Sequence, residues 1–129
     1  MQLNRKFRFF LFSFFFFLVF FISKGQSSSS RSHYEETMVM AEVLLNRGFF
    51  SEALANFEIV AVKSKNRGQR ANALFFKGKI NSIYLDQQEK ALQLFNRILT
   101  TYPESSAAPD AFFESGIIFF DRKNYEKAH

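Results

Sequence analysis

The sequence predicts an all-α fold in which helical hairpins stack on one another as a solenoid. Its apolar residues recur at intervals of three and four rather than two, and short turn signals interrupt them. The pattern also has a period, because Ala53, Ala91 and Ala128 lie 38 and 37 residues apart. Since one hairpin cannot bury its apolar face alone, successive hairpins must pack together.

The first hairpin is predicted to begin at a capping box, since Ser32 and Glu35 have the required spacing. Gly48 marks the turn between its two helices, and Ser51 can cap the second helix. The apolar face of the hairpin comprises Met38, Ala41, Leu44 and Leu45, then Ala53, Leu54, Phe57, Val60 and Ala61.

The same unit then returns along the chain. The third helix is marked by Leu74, Phe75, Gly78 and Ile83, and the fourth by Ala91, Leu92, Phe95, Ile98 and Leu99. Asp86-Gln87-Gln88 separates these two helices, Pro103 ends the fourth, and Pro109 fits the first turn of a fifth. Lys123-Asn124 is predicted to form the next turn, after which Tyr125 opens a sixth helix.

The small and aromatic residues of these units resemble the tetratricopeptide repeat (TPR) pattern. The residues that carry the resemblance are Ala41, Leu44, Phe50, Ala53 and Phe57; Leu74, Gly78, Ala91, Phe95 and Pro103; and Phe112, Gly116, Phe119, Tyr125 and Ala128. The resemblance implies a right-handed TPR-like solenoid of about two and a half repeats over residues 34–129. Its units are approximately 34–68, 69–106 and 107–129, and the last is expected to be incomplete because the sequence stops in mid-unit.

The units depart from the family pattern in spacing. The family repeat has 34 residues, whereas this one has 37 or 38. One extra residue lies between Gly78 and Ala91, and Asn81 stands where an aromatic is usual. Asn66-Arg67-Gly68 closes the first unit in place of a proline. A generic stack of helical hairpins is the alternative interpretation.

The first 25 residues have the features of a cleavable signal peptide. A basic stretch, Asn4 to Arg8, precedes an apolar run from Phe9 to Ile22 that only Ser13 interrupts. Ser23 and Gly25 place small side chains where a signal peptidase needs them. The run covers about 21 Å as a helix, short of the ~30 Å hydrocarbon core, although an uncleaved anchor is the alternative.

Cleavage there predicts an exported protein, periplasmic or cell-envelope if bacterial, that meets the membrane only transiently. The absence of Cys excludes a lipoprotein anchor, disulfides and thiolate metal sites. Residues 26–33 are Ser-rich and predicted to be a flexible leader. Residues 1–25 carry four basic and no acidic groups, so the net charge falls from +5 to +1 without them. The basic pI therefore does not indicate a nucleic-acid partner.

The sequence predicts no enzyme and no cofactor or metal site. Its two histidines, His33 and His129, lack Asp, Glu or His at ligand spacing on the same helix face. The glycines are dispersed, so no phosphate-binding loop is formed. A run of basic residues between Glu58 and Asp86 is interpreted mainly as a solvated junction, with an acidic partner as the alternative: Lys63, Lys65, Arg67, Arg70, Lys77 and Lys79.

The TPR resemblance implies a groove formed by the first helix of each hairpin. Its predicted partner-binding residues are Glu35, Met38, Glu42, Leu45, Asn72, Phe75, Lys79, Asp110, Phe113, Ile117 and Phe120. Such a groove would hold a protein or peptide segment, so the predicted function is a non-enzymatic interaction scaffold. The alternative is an N-terminal sensory or regulatory region of a longer multidomain protein, such as a signalling kinase or peptidase. The apolar edge near Phe113 also predicts self-association.

Overall fold

The computed structural model describes residues 31–128. The unit Arg31–His129 is described by itself. The predicted signal peptide, the leader as far as residue 30, and His129 lie outside the described residues. Within residues 31–128 the predicted all-α fold is confirmed, because 84% of them are helical and none forms a strand.

Five helices make up the described unit, in hairpins that follow one another along the chain. They are α1 (His33–Asn46), α2 (Phe50–Lys63), α3 (Arg67–Lys79), α4 (Gln88–Thr101) and α5 (Ala107–Ala128). A π-helical segment, Ile80–Tyr84, continues α3. Each helix packs against the next, so α1 and α2 form one hairpin, and α3 and α4 form the second.

The buried core lies between these helices and follows the predicted pattern of alanine and phenylalanine. Ala53, Phe57, Ala91 and Phe95 are all fully buried. Close helix approach is confirmed at Gly78, where an added Cβ would lie 2.4 Å from Cε1 of Phe95. The buried cluster extends from α1 to α5, so the unit contains its own core.

The start and the turn of the first hairpin have local causes in the sequence. The predicted capping box is present: the Ser32 hydroxyl accepts from the Glu35 N–H, and the Glu35 carboxylate accepts from the Ser32 N–H. Gly48, at φ +83°, closes the turn, with the Phe49 N–H donating to the Leu44 carbonyl at 2.9 Å. This is the pairing of a Schellman motif.

The prediction that Ser51 caps α2 is wrong. Helix α2 begins at Phe50, and its N-cap residue is Phe49, which makes no side-chain capping hydrogen bond. The positive-φ glycine returns the chain directly into the second helix, which leaves Ser51 inside the first turn.

The extra residue of the second unit is accommodated by the π-helical segment. There the Leu85 N–H donates to the Ile80 carbonyl, five residues back, at 3.2 Å. The wider turn changes which side chains face inward: Ile80 and Asn81 are buried, whereas Ile83, predicted on the apolar face, is 55% exposed. A one-residue insertion in a helix commonly produces such a local bulge.

The predicted turn at Lys123-Asn124 and the sixth helix are wrong for the described residues, because α5 continues unbroken to Ala128. The two real hairpin turns place Gly48 and Asp86 at positive φ, each five residues before its repeat alanine. Lys123 holds that position before Ala128, and a lysine is poorly suited to the left-handed conformation. None of the helices within residues 31–128 is long and apolar enough to cross a membrane.

Candidate functional site

The first helices of the hairpins form a layer that carries the predicted site residues. Helix α3 contacts both α1 and α5, so α1, α3 and α5 follow one another side by side. Helices α2 and α4, by contrast, do not contact each other. The layer of first helices is therefore the more closely packed side of the stack, and it offers a continuous surface across three helices.

Helix α1 contributes two exposed carboxylates and two partly covered apolar side chains to this surface. Glu42 is exposed, whereas Met38 and Leu45 are half-buried and pack against the core. Glu35 is exposed but serves the capping box of its own helix through Ser32. Of the two predicted acidic groove residues on α1, Glu35 therefore takes part in capping the helix and Glu42 does not.

Helix α3 places an aromatic ring and an ammonium group together at the centre of the surface. The Lys79 Nζ lies 5.8 Å from the ring centroid of Phe75, within reach of a cation–π interaction. The same Nζ lies 3.6 Å from a carboxylate oxygen of Glu114 on α5. Asn72, one turn before Phe75, is half-buried. Phe75 and Lys79 are therefore close together, and Glu114 connects Lys79 to α5.

Helix α5 contributes the apolar end of the surface. Three predicted residues, Phe113, Ile117 and Phe120, line a shallow groove together with Phe112 and Gly116. Phe113 is 67% exposed, Phe120 is 65% exposed and Ile117 is 40% exposed. Asp110 is exposed in the first turn of the same helix. This groove is an apolar surface bordered by an acid.

Comparison of α3 with α5 shows why this groove is open. Leu74 and Gly78 of α3 stand 38 positions before Phe112 and Gly116 of α5. Leu74 and Gly78 are buried, and the Phe95 ring of α4 fills the space beside Gly78. Phe112 is instead 72% exposed, and nothing lies within 4 Å of a Cβ added at Gly116. The same helix face is covered in α3 and bare in α5.

Most of the basic side chains between Glu58 and Asp86 form contacts within the described unit. Lys77 pairs with Glu58 of α2, and Arg70 donates to the Ser64 carbonyl at the α2–α3 junction. With Lys79 paired to Glu114, these charges link neighbouring elements. Lys63 and Lys65 are exposed. The predicted solvated junction thus also contains specific ion pairs.

Arg67 links the start of α3 to the end of the second hairpin. Its Nε lies 2.8 Å from Glu104 Oε1, and its guanidinium carbon lies 4.9 Å from the Tyr102 ring centroid. The hydrogen bond between these two side chains raises the pKa of Arg67 and lowers the pKa of Glu104. Because the carboxyl pKa is lowered in the folded state, this contribution to stability is present above pH 4.5 and lost as the pH falls.

One contact of this surface was missed by the sequence prediction. Glu114 was not assigned to the surface, although it lies about one repeat length after Lys79, a spacing that favours contact between neighbouring repeats. Compared with protein-family models, curated proteins and solved structures, the chain matches none of them.

Proposed function

We propose that residues 34–129 are a TPR-like right-handed solenoid that binds a protein or peptide segment outside the cytoplasm, without catalysis. The supporting observation is the side-by-side layer of α1, α3 and α5, in which Lys79 is paired with Glu114 across two helices. A surface of that kind offers an extended segment several successive contacts.

The surface also suggests the chemistry of its partner. Phe75 offers a partly exposed ring, the Lys79 ammonium lies beside it, and Glu42 supplies a carboxylate on α1. Such a mixture favours a segment with an apolar side chain near Phe75 and a basic group toward Glu42. Apolar contact would supply most of the affinity, and the charges would fix the direction of the segment.

The groove is tested by reversing one ion pair. A display library of short peptides is selected against residues 31–129, and the binders are measured again with Lys79→Glu combined with Glu114→Lys. The double change keeps an ion pair between α3 and α5 but moves the positive charge to α5, so we expect at least tenfold weaker binding at an unchanged melting temperature. The matched control is Lys90→Glu on α4, an exposed residue outside the layer.

Binders that lose affinity with Lys90→Glu and keep it with the double change would place the binding surface on the second helices. A library that yields no binder to residues 31–129 would remove the support for a peptide groove.

Export is tested by the mass of the mature chain. Because Ser23 and Gly25 fit the cleavage pocket, the exported protein should begin at Gln26. Gly25→Trp should block cleavage by filling the pocket that needs a small side chain, whereas Lys24→Trp, at the neighbouring tolerant position, should not. Intact-mass spectrometry of the exported fraction gives the result. A mature chain that still starts at Met1 would support the uncleaved anchor instead.

A further inference from the structure

The groove on α5 repeats a surface that is filled elsewhere in the unit. It is lined by Phe112, Phe113, Gly116, Ile117 and Phe120. The positions 38 residues earlier, on α3, are Leu74, Phe75, Gly78, Lys79 and Ser82. On α3 this surface holds the Phe95 ring of α4, which lies beside Gly78 and has its centroid 5.9 Å from that of Phe75. A surface of this kind therefore receives a phenylalanine ring from an adjacent helix.

The α5 groove has room for such a ring. Its volume is about 300 Å³, whereas a protein cavity of roughly 150 Å³ holds a benzene molecule. Nothing lies within 4 Å of a Cβ added at Gly116, and Phe112 and Phe120 are largely exposed on either side of it. Gly116 of α5 can therefore admit a ring as Gly78 of α3 does.

Within residues 31–128 the unit does not supply this ring itself. Glu126-Lys127-Ala128 repeats the Glu89-Lys90-Ala91 sequence at the start of α4, but these three residues belong to α5. Phe57 of α2 and Phe95 of α4, the rings that follow the repeat alanines, are fully buried in their own hairpins. A second copy of the unit therefore cannot offer either ring while it stays folded.

Two lysines continue the groove toward the C-terminal end of α5. At about 100° per residue, Lys123 and Lys127 each lie within about 20° of Gly116 around the helix. Both are exposed, and neither forms an ion pair among the described residues. A helix packed antiparallel on α5, as α4 packs on α3, would begin beside these lysines. Because acidic side chains are favoured in the first turn of a helix, its N-terminal end would complement them in charge.

The positions of the ring and of the acid in such a helix follow from the geometry of α5. Lys123 lies seven residues after Gly116, about 10 Å along the axis and on the same side. When a phenylalanine of an antiparallel helix lies over Gly116, the residue seven positions before it lies opposite Lys123. In α4 that position, relative to Phe95, is held by Gln88. An acid there would face Lys123 directly.

We infer that the α5 groove receives an amphipathic helix of another protein, antiparallel to α5, with a phenylalanine over Gly116 and an acidic residue two turns earlier opposite Lys123. A small residue four positions before the phenylalanine, where α4 has Ala91 before Phe95, would let the helices approach closely. The inference concerns the α5 end of the layer and does not rest on the proposed peptide site at Phe75 and Lys79.

A synthetic peptide with the sequence of residues 86–102 supplies the ring, and Gln88→Glu within the peptide supplies the acid. Its binding to residues 31–129 is measured by fluorescence anisotropy. We expect the acidic peptide to bind, and Phe95→Ala within the peptide to weaken binding about tenfold or more. Gly116→Ala in the unit should have a similar effect, because its methyl group would occupy the space of the ring. The matched control is Asp121→Ala, an exposed position about 140° away around α5.

The charge contact is tested by exchanging its two partners. Lys123→Glu in the unit should weaken binding of the acidic peptide about fivefold, and a peptide with Gln88→Lys should recover binding to that variant. Circular dichroism of each variant checks that the helices are intact. Combined Lys79→Glu and Glu114→Lys should leave the affinity unchanged, which separates this inference from the proposed peptide groove.

Two results would overturn the inference. One is an acidic peptide that does not bind at millimolar concentration, or that binds equally well to the Gly116→Ala variant. The other is sedimentation of the unit without peptide that shows a dimer abolished by Gly116→Ala, which would assign the groove to a second copy of the chain.

Discussion

Gly78→Ala should destabilise the second hairpin, whereas Gly116→Ala at the equivalent position of α5 should stabilise the unit. A Cβ at Gly78 would lie 2.4 Å from Cε1 and 2.9 Å from Cδ1 of Phe95. The Phe95 ring is fully buried, so it cannot move aside without disturbing its neighbours. Overpacking of this kind costs about 1–3 kcal/mol, more than the roughly 1 kcal/mol that alanine gains over glycine in a helix.

At Gly116 only the gain in helix propensity applies, because nothing lies within 4 Å of the added methyl group. The gain in helix propensity is common to both variants, so their free energies of unfolding should differ by the overpacking cost alone, about 1–3 kcal/mol, with a loss at Gly78 and a gain at Gly116. Urea unfolding of residues 31–129, at a dilution that keeps the unit monomeric, measures both. Equal effects at the two glycines would show that the α3–α4 contact at Gly78 is looser than the structure describes.

The sequence predicted the hairpins because their causes are local. Small residues at Gly78 and Ala91, a phenylalanine at Phe95, and turn residues such as Gly48 each restrict what the chain can do nearby. The Ser32–Glu35 capping box was predicted for the same reason, since both partners lie within one turn.

The features that the sequence did not predict are those for which the same residues allow more than one arrangement. Lys123-Asn124 could form a turn or continue a helix, and the unsuitability of Lys123 for positive φ became clear only beside Gly48 and Asp86. The site shows the same limit. Lys79 was assigned to the surface from the repeat pattern, but its partner Glu114 required knowing which helices are neighbours.

The π-helical segment was predicted only in part. The sequence revealed that the second unit has an extra residue, but not where in the unit that residue is accommodated. Ala41 lies 12 residues before Ala53, whereas Gly78 lies 13 before Ala91. Gly48 and Asp86, at positive φ, lie seven and eight residues after those first positions. The extra residue thus falls between Gly78 and Asp86, the interval that contains Ile80–Tyr84.

Deletion of Asn81 should consequently leave the fold intact, although a deletion inside a helix normally disrupts packing. Asn81 is buried, and its Nδ2 donates to the Lys77 carbonyl at 2.7 Å, but its Oδ1 has no hydrogen-bond partner. Removing the residue shortens the bulge to a regular helical turn and eliminates an unsatisfied buried acceptor, which typically costs about 1–3 kcal/mol. We expect the free energy of unfolding to change by less than about 1 kcal/mol, because removal of the unsatisfied Asn81 acceptor offsets the loss of the hydrogen bond from Asn81 to Lys77.

The matched control is deletion of Val43, which occupies the corresponding part of α1, where there is no extra residue. Val43 is itself 38% exposed, so its own side chain contributes little. Its removal would rotate Leu44 and Leu45 by about 100° and shift Gly48 out of its turn position. Loss of the two partly buried leucines, at roughly 1.5–3 kcal/mol for each full burial, should cost about 3 kcal/mol or unfold the hairpin. Urea unfolding and far-ultraviolet circular dichroism compare the two deletions. Equal losses of unfolding free energy would show that the packing requires the π-helical segment and that Asn81 is not a removable extra residue.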